Sequence, residues 1–383
     1  AASAYVDVRD QDVEIGYIDG DGEFAPLNGS AETTGTAVRV TCKRTSERGN
    51  MLPLFFAPLF GQRNAEAAAT AVATFKSRDM MLVVDLSGSM NDDGKIPSIP
   101  YLGQESVEAH LRLVWNELGL TSVGNMSFET TYIAPTRTVQ GDDDDDPYTE
   151  PVPIEEIKAR LGLTDVPYPF PGSNWEDYID YVQSDAMLEA FGMNDQYGGR
   201  TLINFWLTQA ENAATRPEMW QVSEQPITAL KSAVQLFADI LDTISGDDRV
   251  GLVSYTYPDE NGAVVESPLT YNYATVANIM WHRQAGHYNP YTNIGAGIRM
   301  ARLELQQKAR PTADRIIVLM TDGRANRPNS QAEARAFVIS EAHECAAAGI
   351  NVMTVSLGRK ADRALMDEVA FITTGIHYNV PAT

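Results

Sequence analysis

The chain has 383 residues, room for two or three domains, and its 44% apolar and 21% charged residues mark globular rather than disordered material. A formal net charge of −23 argues against nucleic acid or an anionic membrane surface as the main partner. It favours solubility and a cloud of cations, as in a secreted or salt-exposed surface protein, although acidic intracellular proteins also exist.

No stretch reaches the length of a membrane-spanning helix, since the apolar patch from Met51 to Gly61 is short and broken by Pro53 and Pro58. No charged-then-apolar leader is present, and a chain starting Ala1-Ala2-Ser3-Ala4 looks like one whose leader or anchor has been removed or not included. Cys42 and Cys345 lie far apart, in different expected elements, and read as two buried thiols rather than a disulfide framework.

Residues 1–76 are rich in strand signals: Tyr5-Val6-Asp7-Val8, Val13 to Ile18, Ala37 to Cys42 and Ala71 to Phe75. The clusters Asp19-Gly20-Asp21-Gly22 and Asn28-Gly29-Ser30 supply turns between them. Asp19-x-Asp21-x-Glu23 has the look of a calcium loop, but Phe24 stands where an EF-hand needs Gly, so it reads as a turn.

Arg78-Asp79-Met80-Met81-Leu82-Val83-Val84 is then an unalternating apolar run, the pattern of a strand buried on both faces of a parallel sheet. It breaks into Asp85-Leu86-Ser87-Gly88-Ser89. Alternate residues of an extended loop point the same way, so Asp85, Ser87 and Ser89 can converge at the carboxyl end of a core strand, where α/β sheets bind ligands. Carboxylate and hydroxyl oxygens without His or Cys suit a hard cation, one Mg²⁺, Ca²⁺ or Mn²⁺.

The first helix expected after this strand is Pro226 to Ile244, with Ile227, Leu230, Val234, Phe237 and Leu241 on one face. Residues 92–225 are therefore an insertion, far longer than the ~2–6 residues usual in such a connection, and must carry structure of their own. Helical patterns run from Gln104 to Leu118 and from Thr201 to Ala214, and Ser173-Asn174-Trp175-Glu176 reads as a capping box. Trp115, Trp175, Trp206 and Trp220 fall in this insertion; they are expected to form its core and its seam with the rest, a recognition surface being the other reading. Asp142 to Asp146, five like charges in a row, read as a solvated, mobile loop rather than a calcium site.

From Pro226 on, strands and helices alternate. Strands are expected at Val250–Tyr255, Val264–Ser267 (a short edge strand), Arg315–Met320, Asn351–Leu357 and Ile376–Val380. Helices are expected at Tyr273–His282, Ile294–Lys308, from the Ser330 capping box to before Gly349, and at Asp362–Thr374. The fold class is α/β: a doubly wound, mostly parallel, Rossmann-like sheet, with a large helical insertion after its first strand and a β-rich N-terminal region.

Asp-x-Ser-x-Ser resembles the start of the metal-ion-dependent adhesion site (MIDAS) of von Willebrand factor type A (vWA) domains. That family completes the site with a Thr on a second loop and an Asp on a third, matched here by Thr292 in Pro290-Tyr291-Thr292-Asn293 and Asp322 in Met320-Thr321-Asp322-Gly323. The resemblance implies a vWA domain over 77–383 in which Ser87, Ser89 and Thr292 give hydroxyl oxygens to the cation, while Asp85 and Asp322 act directly or through water. Residues 36–75, with Val38-Arg39-Val40-Thr41 and Leu52-Pro53-Leu54-Phe55-Phe56-Ala57, resemble the segment preceding the A domain in TadG-like tight-adherence (Flp) pilus-assembly proteins. That family is anchored by an N-terminal membrane helix with the rest outside the cytoplasmic membrane; the helix has no counterpart here, so anchoring is implied by resemblance only.

Enzyme readings fare poorly. Gly88 to Lys95 evokes a phosphate loop, but its glycine spacing is one residue too long and Ile96 stands where Ser or Thr should bind magnesium. No HExxH or Gly-x-Ser-x-Gly occurs. The histidines lack zinc-like spacing; His282 and His287 read as surface loop residues, with lining the site the alternative. Three functional readings stand: an extracytoplasmic module of a bacterial surface or pilus system binding a protein's Asp or Glu through the metal; a structural filament subunit whose metal only rigidifies loops; and an intracellular partner of an ATPase.

Overall fold

Val13, Ile15 and Tyr17 alternate with Glu14 and Gly16, and this period of two forms a strand of a small antiparallel sheet. The computed structural model describes residues 8–19, 23–27, 37–54, 61–74, 76–140, 146–209, 213–244, 247–255 and 261–381. The chain divides into two compact units, Ala1–Ser77 with Thr312–Asp314, and Arg78–Pro311 with Arg315–Thr383. In the first, β1 (Val13–Ile18), β2 (Phe24–Pro26), β3 (Ala37–Arg44) and β6 (Ala67–Thr74) pair in the order β2-β1-β3-β6, beside the two-residue pair β4 (Leu52–Pro53) and β5 (Asn64–Ala65). Arg39 on β3 pairs with Glu14 across from it at 2.7 Å, and Arg48 closes on buried Asp12 at 2.6 Å. Asp19 accepts a hydrogen bond from the Glu23 amide at 2.9 Å, closing a turn. The strand signal at 5–7 and the turn at 28–30 lie outside the described residues.

The second unit is built on β7 (Arg78–Val84), the apolar run. Along it Met81 and Val83 face one apolar cluster while Met80, Leu82 and Val84 face another, so both sides are covered. After β7 come the insertion elements α1 (Ile99–Leu102), α2 (Gln104–Glu117), β8 (Thr131–Tyr132), β9 (Thr136–Val139), β10 (Tyr148–Pro151), α3 (Ile154–Arg160), α4 (Trp175–Ser184), α5 (Ala186–Ala190), β11 (Gln196–Tyr197) and α6 (Gly199–Thr208). The alternation then resumes with α7 (Ile227–Thr243), β12 (Arg249–Tyr255), β13 (Ala263–Thr270), α8 (Tyr273–Trp281), α9 (Ile294–Lys308), β14 (Asp314–Thr321), α10 (Gln331–Ala347), β15 (Ile350–Leu357), α11 (Arg363–Ile372) and β16 (His377–Val380).

The sheet order is β13-β12-β7-β14-β15-β16. β12 runs parallel to β7, and β14, β15 and β16 run parallel to one another, while edge strand β13 is antiparallel to β12. Ile227, Leu230, Val234 and Leu241 of α7 and Val276 and Met280 of α8 cover one face. Ile298 and Leu305 of α9, Val338 and Ala342 of α10, and Leu365 and Val369 of α11 cover the other. This is the doubly wound α/β arrangement expected from the sequence, with each buried Leu, Ile or Val contributing ~1.5–3 kcal/mol.

The insertion has a separate core. Leu111, Val114 and Trp115 of α2, Tyr178, Ile179 and Val182 of α4, and Leu202, Phe205 and Trp206 of α6 meet there with Trp175. Tyr178 is fully buried, yet its hydroxyl accepts from the Gly198 amide at 3.1 Å and shares a hydrogen bond with Thr201 at 2.9 Å. Trp220 instead packs on His282, 4.4 Å between ring centres, at the seam with the alternating part. Two expectations need correction. The residue that caps α4 is Asn174, whose Oδ1 accepts from the Asp177 amide at 2.8 Å; the Ser173 hydroxyl reaches the Asp177 side chain instead of its amide. Helix α6 ends at Thr208, not Ala214, because the Thr208 hydroxyl turns back onto the Phe205 carbonyl at 2.6 Å and Arg216 folds back onto the Gln209 carbonyl at 3.2 Å. Gly141 to Asp145 lie outside the described residues, and Asp146 is exposed. Of the two cysteines, Cys345 is buried and free, with its thiol pushed up to about 12 by burial. Cys42 is free but only half-buried, contrary to the expectation of a buried thiol.

Candidate metal centre

The connections leave β7 in opposite directions. From β7 the chain travels to β12 on one side, then returns across to β14 on the other, so the loops after β7 and β14 diverge at the carboxyl edge of the sheet. That divergence opens a crevice where doubly wound folds bind ligands. Asp85 follows β7 directly, Asp322 follows β14 directly, and Thr292 immediately precedes the Asn293 cap of α9.

All five residues singled out from the sequence meet here. The Ser87 amide donates to Asp85 Oδ1 at 2.8 Å, which curls the loop so that the Ser87 and Ser89 hydroxyls stand 3.1 Å apart. Ser89 Oγ donates to Asp322 Oδ1 at 2.7 Å, joining the first loop to the third. A side chain built on Gly323 would put its Cβ 3.5 Å from both Ser89 Oγ and Thr292 Oγ1, so the second loop's hydroxyl reaches the same place. The absence of a side chain at Gly323 keeps that space clear.

The loops are also stitched by their backbones. Gly88 N donates to Pro290 O at 3.2 Å, and the Thr292 amide donates to Asn326 Oδ1 at 2.8 Å while Asn326 N donates to Thr292 O at 3.0 Å. Thr321 Oγ1 donates to Asp85 Oδ2 at 2.8 Å, fixing the carboxylate from beneath. Sequence reasoning missed both Asn326 and Thr321. Thr321 adjoins Asp322 on an exiting strand, where a hydroxyl at the neighbouring strand's carboxylate is a readable signal; Asn326 had none. Replacing Thr321 with Val keeps the shape but removes this donor, and cation affinity should fall about 10- to 100-fold by calorimetry. An unchanged affinity would show that Asp85 needs no such support.

Asp85 and Ser87 are fully buried, and Thr292 and Asp322 nearly so. Burial, followed by the charge of Asp85, pushes the Asp322 carboxyl well above the usual range; Asp92 and Asp93 add to this and the Ser89 hydrogen bond opposes it. Two buried carboxylates and three hydroxyls are the kind of donors a hard divalent ion takes, and such an ion would relieve the like-charge crowding. Among the described residues no group of three or more His, Cys, Asp or Glu is placed to hold a metal, so this site depends on hydroxyls. It opens into a depression of about 590 Å³.

The histidines lie elsewhere. His282 is exposed and turned to its own helix at Asn278 O. His287 is half-buried, with its imidazole lowered to about 4 chiefly by burial and then by Arg283, so the surface reading fails for it. Neither lines the depression.

Solved structures with some likeness to the chain include an aerotolerance-related membrane protein from Bacteroides fragilis, 20% identical, covering 41% of this chain and 82% of its own, TM-score 0.33. The pilus adhesin SpaC from Lactobacillus rhamnosus GG is 12% identical over 44% of this chain and 27% of its own, TM-score 0.34. The PilB minor pilin from Streptococcus sanguinis is 11% identical over 92% of this chain and 72% of its own, TM-score 0.37. A comparison with curated proteins finds no match. The sequence model of the von Willebrand factor type A domain matches residues 218–324, taking in Thr292 and Asp322, and that of the Tad-like Flp pilus-assembly family matches residues 1–73. By sequence, then, residues 218–324 are similar to the von Willebrand factor type A domain, in keeping with the doubly wound α/β sheet, and residues 1–73 are similar to the Tad-like Flp pilus-assembly family.

Proposed function

We propose that this protein is a binding module, not an enzyme, of a bacterial surface or pilus system, placed outside the cytoplasmic membrane, and that it grips a protein partner through a divalent cation. The observation that carries this reading is the convergence of Asp85, Ser87, Ser89, Thr292 and Asp322 from three loops, with Ser89 and Thr292 lining an open depression above the buried carboxylates. Mg²⁺, Ca²⁺ or Mn²⁺ held by two carboxylates and neutral hydroxyls retains affinity for one more anionic oxygen, such as a partner's Asp or Glu. The ion also offsets the repulsion an acidic partner would meet from a chain of net charge −23. The amino-terminal match to a pilus-assembly family supports pilus components as the partners.

The test immobilises the chain and offers it an extract of pilus proteins. Capture in Mg²⁺ or Mn²⁺ should be lost in EDTA and should fail with Asp85→Ala. Capture that survives both the chelator and the substitution removes the cation from the mechanism.

A further inference from the structure

The chain has 52 acidic and 29 basic residues, yet the charged side chains lining the depression are Arg324, Arg359 and Lys360, with Asp85 and Asp322 buried beneath them. Part of this positive charge is spent internally and part is not. Lys360 is engaged with Asp92 at 2.5 Å, and Lys95 holds the same carboxylate at 2.5 Å. Arg324 and Arg359, by contrast, are exposed and enter no ion pair among the described residues. Asp93, beside Gly358, is the nearby acidic group left over.

The guanidinium of Arg359 is also held in place. It lies 2.8 Å from the centre of the Tyr101 ring, contributed by α1 of the insertion. Arg327, beyond the loop that carries Thr292, lies in the same way 3.4 Å over Tyr291. Cation–π attraction holds a guanidinium against an aromatic ring and leaves it N–H donors for carboxylate recognition. It also lowers the freedom lost on binding. The insertion thus touches Arg359, one of the residues lining the depression, a role its separate core does not explain.

A single carboxylate is enough to complete a cation's coordination, which leaves two arginines, without ion-pair partners among the described residues, available to further carboxylates. We propose that the partner segment is polyacidic: a peptide with several adjacent Asp or Glu side chains, one directed to the cation and its neighbours to Arg324 and Arg359. The first half of that statement rests on the cation-bridged reading; the second stands on the arginines alone. An extended polyanion such as DNA fits less well, because beyond the depression it would run over an acidic surface.

The test uses the full chain and two fluorescent peptides, one with five consecutive Asp flanked by Gly, the other with one Asp in the same frame. In Mg²⁺ at low salt the five-Asp peptide should bind at least tenfold tighter, and the preference should shrink in 0.5 M NaCl. In the doubly substituted Arg324→Gln, Arg359→Gln chain the preference should drop about threefold to fivefold per arginine, while the single-Asp peptide loses less than twofold. Both side chains are exposed, and an unchanged melting temperature checks the fold. EDTA should weaken both peptides and leave an arginine-dependent preference. A five-Asp preference that persists in the double variant overturns the proposal and leaves the cation reading intact. Indifference of both peptides to EDTA overturns the cation reading and not the arginine one. Tighter binding of a DNA oligonucleotide of matched charge would also overturn the choice of an acidic peptide.

Discussion

Asp322→Ala should abolish cation-dependent stabilisation while leaving the cation-free protein as stable as before, or more so. The carboxylate sits nearly buried at the end of β14, where Asp85 is its closest electrostatic neighbour and Asp92 and Asp93 add to the same field. Without a cation its charge is therefore unfavourable in the folded state, and Ser89 is the hydroxyl that compensates it. With a cation at 100 times its dissociation constant, the intact site gains about 2.7 kcal/mol by mass action. Truncation removes the source of both effects, so the two melting curves with and without Mg²⁺ or Mn²⁺ should separate by several degrees for the native chain and superimpose for the variant. A variant that loses stability in EDTA, or still responds to the ion, would mean that Asp322 is a structural residue and the cation sits elsewhere. Ser89→Ala should fall between the two, since it removes one hydroxyl ligand and the donor to Asp322 together.

The site was readable in the sequence to the extent that its chemistry is local. Asp85, Ser87 and Ser89 occupy alternate positions at the end of an apolar run, and the run itself announces a strand covered on both faces, which the split of Met81 and Val83 from Met80, Leu82 and Val84 shows directly. Thr292 and Asp322 are more than 200 residues further on, and nothing in their neighbourhoods marks them as partners of Asp85; the resemblance to a known motif singled them out. The contacts that hold them are side chain to backbone across loops, as between Asn326 and Thr292, and leave no period to detect. The cap of α4 was misread for a related reason. Ser173 and Asn174 are both good caps, and only the backbone path decides which oxygen faces the Asp177 amide. Likewise Tyr101 and Arg359 lie on segments far apart in the chain, so their stacking was invisible until the insertion was folded against the sheet.

The opposite edge of the same sheet should govern stability rather than binding, and Asp79→Ala tests that division. Asp79 is fully buried at the start of β7. Arg249 at the start of β12 reaches its two oxygens at 3.0 and 2.7 Å, and Arg310, ahead of β14, meets it through its guanidinium at 2.7 Å and its backbone amide at 2.7 Å. Burial alone would raise this carboxyl, but the hydrogen bonds from Arg249 and then Arg310 outweigh it and hold the group at about 2. A folded-state value below the unfolded one means that the contribution is complete above about pH 4 and is lost as pH falls toward 2, an amount of the order of 2 kcal/mol. Truncation should cost more, about 3–5 kcal/mol, because it strands two guanidiniums and an amide that were arranged around the missing charge. The partial exposure of both arginines favours the lower end. All five Trp residues belong to this unit, so their fluorescence follows its unfolding alone. The midpoint should fall by roughly 5–10 °C at pH 7, and the gap between native and variant chains should narrow as pH drops below 4. Cation affinity should stay as it was, since Asp79 and Asp85 stand at opposite ends of β7. A variant that keeps its midpoint would show the three-residue cluster to be dispensable, and one that loses cation binding while folded would show that the two edges of the sheet are coupled.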